Sequence, residues 1–111
     1  MDLSRCIDLC TESHRQCVQA AIHALAKGSP PVGAHPERDH IRLLWDCSDV
    51  CRTSADFMSR GSPFHHQTCR VCAAVCEACA EACLKADDPI MTRCAEVCRA
   101  CATSCRELAA Q

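Results

Sequence analysis

Between Cys69 and Cys105, nine cysteines fall in two runs whose spacing leaves little choice of local structure. The first reads Cys69-Arg-Val-Cys72-Ala-Ala-Val-Cys76-Glu-Ala-Cys79-Ala-Glu-Ala-Cys83, and the second reads Cys94-Ala-Glu-Val-Cys98-Arg-Ala-Cys101-Ala-Thr-Ser-Cys105. The gaps run 3, 4, 3, 4 and then 4, 3, 4, the a/d rhythm of a packed helix seam, so cysteine stands where leucine normally would. The intervening residues are mostly Ala, Glu, Arg and Val, and neither run contains Gly or Pro. Both are therefore predicted to be helices, each carrying one stripe of sulfur.

The rest of the chain repeats the pattern. From Asp2 or Ser4, either able to cap, a helical series Leu3, Cys6, Cys10, Ser13, Cys17, Ala20, Ala24 runs to about Lys27 and stops at Gly28-Ser-Pro-Pro. After a breaker-rich loop, Pro36 suits a first helical position, and a second series His40, Leu44, Cys47, Cys51, Ser54, Met58 extends to Arg60 before Gly61. Ser62-Pro63 and Asp88-Pro89 each read as a cap followed by a first-turn proline, opening the third and fourth helices. The prediction is a single domain over 1–111 with helices at about 3–27, 37–60, 63–86 and 89–108. Short connections after helices two and three favour an all-α, antiparallel up-down-up-down four-helix bundle, whose four seams enclose one core.

Leu, Ile, Val and Phe together number only 19 of 111 residues, so seventeen Ala and fourteen Cys must supply much of the interior. Protonated Cys packs as a small hydrophobe. The net charge is only −2, and basic residues alternate with acids along the helices, the pattern of a solvated face. With no basic stripe, no Tyr and only Trp45, Phe57 and Phe64 as aromatics, nucleic acid is excluded as a partner. The N-terminus has charges at positions 2, 5 and 8 and no uninterrupted apolar stretch, so neither a signal peptide nor a membrane span is expected. The expected compartment is the cytoplasm, where thiols stay reduced and a cysteine-rich chain points to metal or redox chemistry.

Fourteen buried thiolates cannot stand unpaired, because desolvating each charge costs several kcal/mol, so the metal-free interior must be protonated. A soft monovalent cation changes this. Each Cu(I) displaces one proton and cancels the charge it creates, and thiolate and thioether ligands select it. Cys-x-x-x-Cys pairs (6/10, 47/51, 72/76, 79/83, 94/98, 101/105) set two sulfurs one turn apart on one face, and the Cys-x-x-Cys pairs 69/72, 76/79 and 98/101 join adjacent sites. Zinc is the first competitor, but a tetrahedral site usually takes its ligand directions from loops or turns. An iron-sulfur or other redox protein is the second. The ferredoxin run needs successive two-residue gaps and a Cys-Pro, and haem attachment needs Cys-x-x-Cys-His, neither of which occurs. No strand pattern supports a thioredoxin-like βαβ unit.

The cysteine-lined helices, the Cys-x-x-x-Cys pairs and the absent signal peptide resemble the bacterial copper storage proteins, in particular their cytosolic branch. The resemblance covers essentially the whole chain. It implies a homotetramer of four-helix bundles that store many Cu(I) ions by Cys thiolates for copper buffering, sequestration or supply, with no catalytic turnover. A copper chaperone or client protein would exchange metal with it. Helices one and two depart from the sulfur-richer pattern, with Ser13 and Ser54 on the seam where a cysteine could stand.

Histidine and methionine are the remaining soft or borderline ligands. In an antiparallel bundle one end gathers His23, His35, His40, Cys83 and Met91, and the other gathers Leu3, Met58, His65, His66 and Leu108. The first end, with His40 and Met91 beside Cys83, is the expected mouth, while Met58 and His65 are candidate ligands at the other. His14, His23, His35 and His66 are expected on flanks or in solvent, and Ser13 and Ser54 are expected to bond the preceding turn. Ile41, Leu43, Trp45, Val50 and Phe57 lie off the sulfur seam and are the predicted subunit interface. A multi-disulfide helical protein would need cysteine Cα atoms about 5.5–6 Å apart across helices. Denatured without reductant, the chain is expected to present close to fourteen reactive thiols, and a thiol assay falling well short of that number would mean disulfides instead.

Overall fold

The computed structural model describes residues 2–27 and 36–111, with backbone only at Pro36 and Glu37. It contains four helices, α1 (Leu3–Ala26), α2 (Pro36–Ser59), α3 (His65–Leu84) and α4 (Pro89–Ala109). They form a bundle about 46 × 21 × 19 Å, in which α1 packs on α2 and α4, and α3 packs on α2 and α4. The backbones of diagonal helices stay apart, and those helices meet only through side chains on the axis, as Cys47 of α2 and Cys98 of α4 do at 3.8 Å. No described helix is long and apolar enough to cross a membrane.

The helix ends explain where each rod starts and stops. Asp2 caps α1, its carboxylate accepting the Arg5 N–H at 2.7 Å. At the end of α2, Gly61 takes φ +66, which lets its N–H reach the Met58 carbonyl and the Ser62 N–H reach the Phe57 carbonyl. That pair of bonds closes the last turn in a left-handed glycine stop. Helix α3 differs from the sequence expectation. Ser62 does accept a backbone N–H, from Phe64 at 3.1 Å, but this closes a turn ahead of the helix, which begins only at His65 and has no side-chain cap. The Asp88-Pro89 device opens α4 where the sequence placed it, with Asp88 accepting the Ile90 N–H at 2.9 Å. The breaker-rich loop, including His35, lies outside the described residues.

All fourteen cysteines face inward with no solvent exposure. Alanines at 20, 21, 73, 80, 95 and 102 are buried beside the sulfur stripes, so neighbouring helices approach closely. Larger apolar side chains are confined to the ends of the column, with Leu44 and Met91 at one end and Met58 and Leu108 at the other. On α2, Leu43, Trp45 and Val50 are half-buried against this core, and Phe57 is half-buried under the Arg60 guanidinium, 5.1 Å above its ring.

Asp88 does more than cap. Its carboxylate also meets Lys27 and His23 (2.7 Å) from the end of α1, tying that helix to the α3–α4 turn. Lys27 and then His23 hold the Asp88 carboxyl well below the usual carboxylate range. A depressed carboxyl contributes stability above its unfolded value near 3.9, and that stability is lost as pH falls toward the folded value. Asn at this position keeps a cap but not the charge. Asp88→Asn is therefore expected to lower the melting temperature near neutral pH, with the gap from the unmodified protein closing below about pH 4, read by circular dichroism.

Candidate metal centre

The sulfurs form one connected column. Five groups, within each of which all Sγ atoms lie within 4.8 Å of one another, follow one another along the axis. At the end where α1 and α3 begin stand Cys6, Cys69 and Cys105, followed by Cys10, Cys72, Cys101 and Cys105. Cys51 and Cys76 then join Cys72 and Cys101, and one cysteine from each helix follows: Cys17, Cys47, Cys79 and Cys98. Cys79, Cys83 and Cys94 close the far end. Cys47 links the third and fourth groups through Cys76 at 3.6 Å and Cys51 at 3.9 Å. Every cysteine in the chain is a member of this column.

Two kinds of contact build it. Along one helix, Cys47/Cys51, Cys72/Cys76 and Cys94/Cys98 lie 3.8–4.0 Å apart, the one-turn pairs that the spacing predicts. Cys6 and Cys10 do not rely on each other alone, since both approach Cys105 across the α1–α4 contact, at 3.7 and 3.5 Å. Such cross-helix approaches are as close as any, as Cys51 to Cys76 and Cys101 to Cys10 show, both at 3.5 Å. All fourteen cysteines are free thiols.

Burial pushes these thiols toward the neutral form, while sulfur-to-sulfur hydrogen bonds divide them into acceptors and donors. Cys101 is pushed up by Cys10, Cys105, Cys51 and Cys72 before burial adds to it. Cys105 is held down by Cys10, Cys101, Cys6 and Cys69, against burial.

The non-sulfur candidates separate clearly. His40 Nε2 lies 3.2 Å from Cys83 Sγ, and the ring is half-buried between that sulfur and a surface groove lined by Asp39, Ala78, Glu81 and Ala82. Cys83 is held well below the ordinary thiol value, first by Cys79 and Cys94 and then, against burial, by His40. Met91 is buried one turn before Cys94 at the same end. At the opposite end Met58 Sδ receives the Cys69 thiol at 3.8 Å, whereas His65 Nδ1 meets the Ser62 carbonyl at 2.9 Å and its ring stacks on His66. His14 fastens α1 to α2, its Nδ1 2.7 Å from the Ser48 hydroxyl, and His23 is engaged by Asp88.

The serines correct the sequence expectation. Ser13 does not settle on the preceding turn. Its hydroxyl is fully buried among four sulfurs, Cys51 (3.3 Å), Cys98 (3.5 Å), Cys47 (3.9 Å) and Cys76 (4.0 Å). Ser54 lies 3.5 Å from Cys69 and from the Thr68 hydroxyl. A hydroxyl on a sulfur stripe finds thiols closer to hand than a carbonyl of its own helix, which spacing along one helix cannot reveal. Ser104, off the seam, carried no sequence signal and is also fully buried.

Known proteins share this arrangement. A solved protein from Nitrosospira multiformis, Nmul_A1745, is 41% identical with a TM-score of 0.86, over 97% of this chain and 94% of that one. The Cu(I)-bound copper storage protein BsCsp3 is 32% identical with a TM-score of 0.82, over 97% and 99%. A cytosolic copper storage protein from Streptomyces lividans, solved with five coppers, is 31% identical with a TM-score of 0.85, over 98% and 92%. The cysteine-rich protein YhjQ of Bacillus subtilis is 35% identical over 68 residues, and the chain spans 63% of its length. The profile of the copper storage proteins matches residues 1–110, which takes in all four helices and all fourteen cysteines, so the chain belongs to the copper storage protein family.

Proposed function

We propose that this bundle is a cytosolic store of Cu(I), holding many ions per chain on Cys thiolates for buffering, sequestration or supply, without turnover. The observation that carries the reading is the continuity of the column, in which overlapping groups, joined once through the contacts of Cys47 with Cys76 and Cys51, link all fourteen sulfurs. A four-thiolate group around a divalent ion would leave two negative charges buried, repeated along the axis. One Cu(I) per thiolate leaves none, and soft sulfur ligands favour it. The S–H bond breaks, the S–Cu bond forms and the proton passes to solvent. At a metal–sulfur distance of about 2.3 Å, that of zinc thiolates, three sulfurs around one ion stand about 4.0 Å apart and two in line about 4.6 Å. The thiols at 3.5–4.0 Å need only small rotations to reach either arrangement.

The proposed ligands are the fourteen cysteines, with His40 and Met91 completing the end near Cys83, and Met58 and His65 serving the other. His40 is the favoured gate because it touches both an interior sulfur and a surface groove. A homotetramer, with the α2 flank around Trp45 as the contact, is the assembly proposed.

Anaerobic titration of the reduced protein with Cu(I) is expected to saturate near or above about ten ions per chain, from roughly one ion per thiolate. Saturation at one or two would reject storage. His40→Ala is expected to slow Cu(I) uptake about tenfold in stopped-flow mixing while leaving the final capacity unchanged, since outer ligands act mostly on access and affinity. An unchanged rate would place the gate elsewhere.

A further inference from the structure

Most neighbouring groups of the sulfur column are held together by a shared cysteine. Counted from the end where α1 and α3 begin, Cys105 belongs to the first and second groups, Cys72 and Cys101 to the second and third, and Cys79 to the fourth and fifth. The third group (Cys51, Cys72, Cys76, Cys101) and the fourth (Cys17, Cys47, Cys79, Cys98) have no member in common. Cys47 spans this joint, through Cys76 at 3.6 Å and Cys51 at 3.9 Å.

Ser13 stands at the same joint. On α1 it falls between Cys10 and Cys17 in the inward series, and its side chain has no solvent exposure. Its hydroxyl lies 3.3 Å from Cys51 and 4.0 Å from Cys76 of the third group, and 3.5 Å from Cys98 and 3.9 Å from Cys47 of the fourth. At the one place where the groups share no sulfur, α1 therefore contributes an oxygen.

The chemistry of filling gives that oxygen a consequence. At about one Cu(I) per thiolate, with at least two sulfurs around each ion, every thiolate must bridge two ions, so a loaded column is a network whose links are shared sulfurs. A serine hydroxyl is a hard donor that Cu(I) does not select, and it cannot supply such a link. It can nevertheless stay satisfied with or without metal. In the metal-free protein it accepts from the Cys51 thiol, and once that proton has gone its own O–H can turn to a thiolate sulfur.

We propose that Ser13 divides the store. Its hydroxyl takes no copper, and the loaded protein carries two copper–thiolate arrays, one of six sulfurs beside His40 (Cys17, Cys47, Cys79, Cys83, Cys94 and Cys98) and one of the eight sulfurs beyond the joint. Metal crosses between them by exchange at Cys47, so the array beside His40 empties first. At each thiol, loading breaks the S–H bond, forms S–Cu bonds and releases the proton to solvent, with no change of oxidation state. The proposal rests on the storage reading above and adds an internal boundary to it.

Release kinetics test it. Saturated with Cu(I) under anaerobic conditions and mixed with an excess of a Cu(I)-selective chelator, the unmodified protein is expected to lose its metal in two phases, with amplitudes near the six-to-eight ratio of the sulfurs. Ser13→Cys exchanges one atom in the same place. It is expected to bind about one further ion and to release its metal in a single phase, the second having been lost. Ser13→Ala supplies no sulfur either and is expected to keep both phases. Without metal, Ser13→Cys is expected to melt cooperatively by circular dichroism and, denatured, to present one more reactive thiol than the unmodified protein. A single phase from the unmodified protein or from Ser13→Ala, or two phases from a folded Ser13→Cys, overturns the proposal. If the unmodified protein instead saturates at one or two ions, the storage reading itself fails.

Discussion

The interior of this bundle is lined with ionisable groups that cannot all be charged at once. Fourteen thiols without solvent exposure can keep the buried charge small in two ways, by holding protons or by sharing a monovalent soft metal. The first way makes them ordinary small core residues, on which the chain is expected to fold without metal. The second uses the same side chains as ligands. Core and site are therefore not separate parts of the molecule, and the alanines at 20, 21, 73, 80, 95 and 102 serve both by letting the helices approach closely enough for sulfurs to meet across them.

This identity of core and site made much of the structure legible in the sequence. Ordinary seams of Leu and Ile predict a buried face but no chemistry, whereas a seam of Cys69, Cys72, Cys76, Cys79 and Cys83 states both. The cap at Asp88 and the stop at Gly61 were equally local and equally readable, while at the start of α1 the sequence offered both Asp2 and Ser4 and the structure uses Asp2. Partner choice across helices was not. That Cys6 and Cys10 both lean on Cys105, or that Cys47 bridges two groups, depends on the relative height of rods whose connections carry no such information. The start of α3 was misplaced for a related reason. Ser62-Pro63 has the chemistry of a cap, but the glycine stop at Gly61 leaves the chain needing a further turn before it can enter the bundle.

Hydroxyls were the least legible. Ser13 on the seam resembled a helix-bonded core serine until the surrounding sulfurs showed four alternatives, and Ser104, off the seam, fits no periodicity at all. Histidines were intermediate. The placement of His23 and His40 at one end and His65 and His66 at the other followed from topology, but only coordinates separate His40, in contact with Cys83, from His65, turned toward the Ser62 carbonyl.

Buried bulk plugs both ends of the rod, Met58 and Leu108 where α1 and α3 begin and Leu44 and Met91 opposite, and a second device holds only one of them. At the opposite end a single carboxylate, Asp88, anchors the first turn of α4 and grips the last turn of α1 through His23 and Lys27. A staple of that kind keeps two of the four rods from splaying, so any widening at this end falls to the opposite side, where α2 faces α3 and the His40 ring fills the crevice. The lock on one wall thereby leaves the opposite wall the freer of the two.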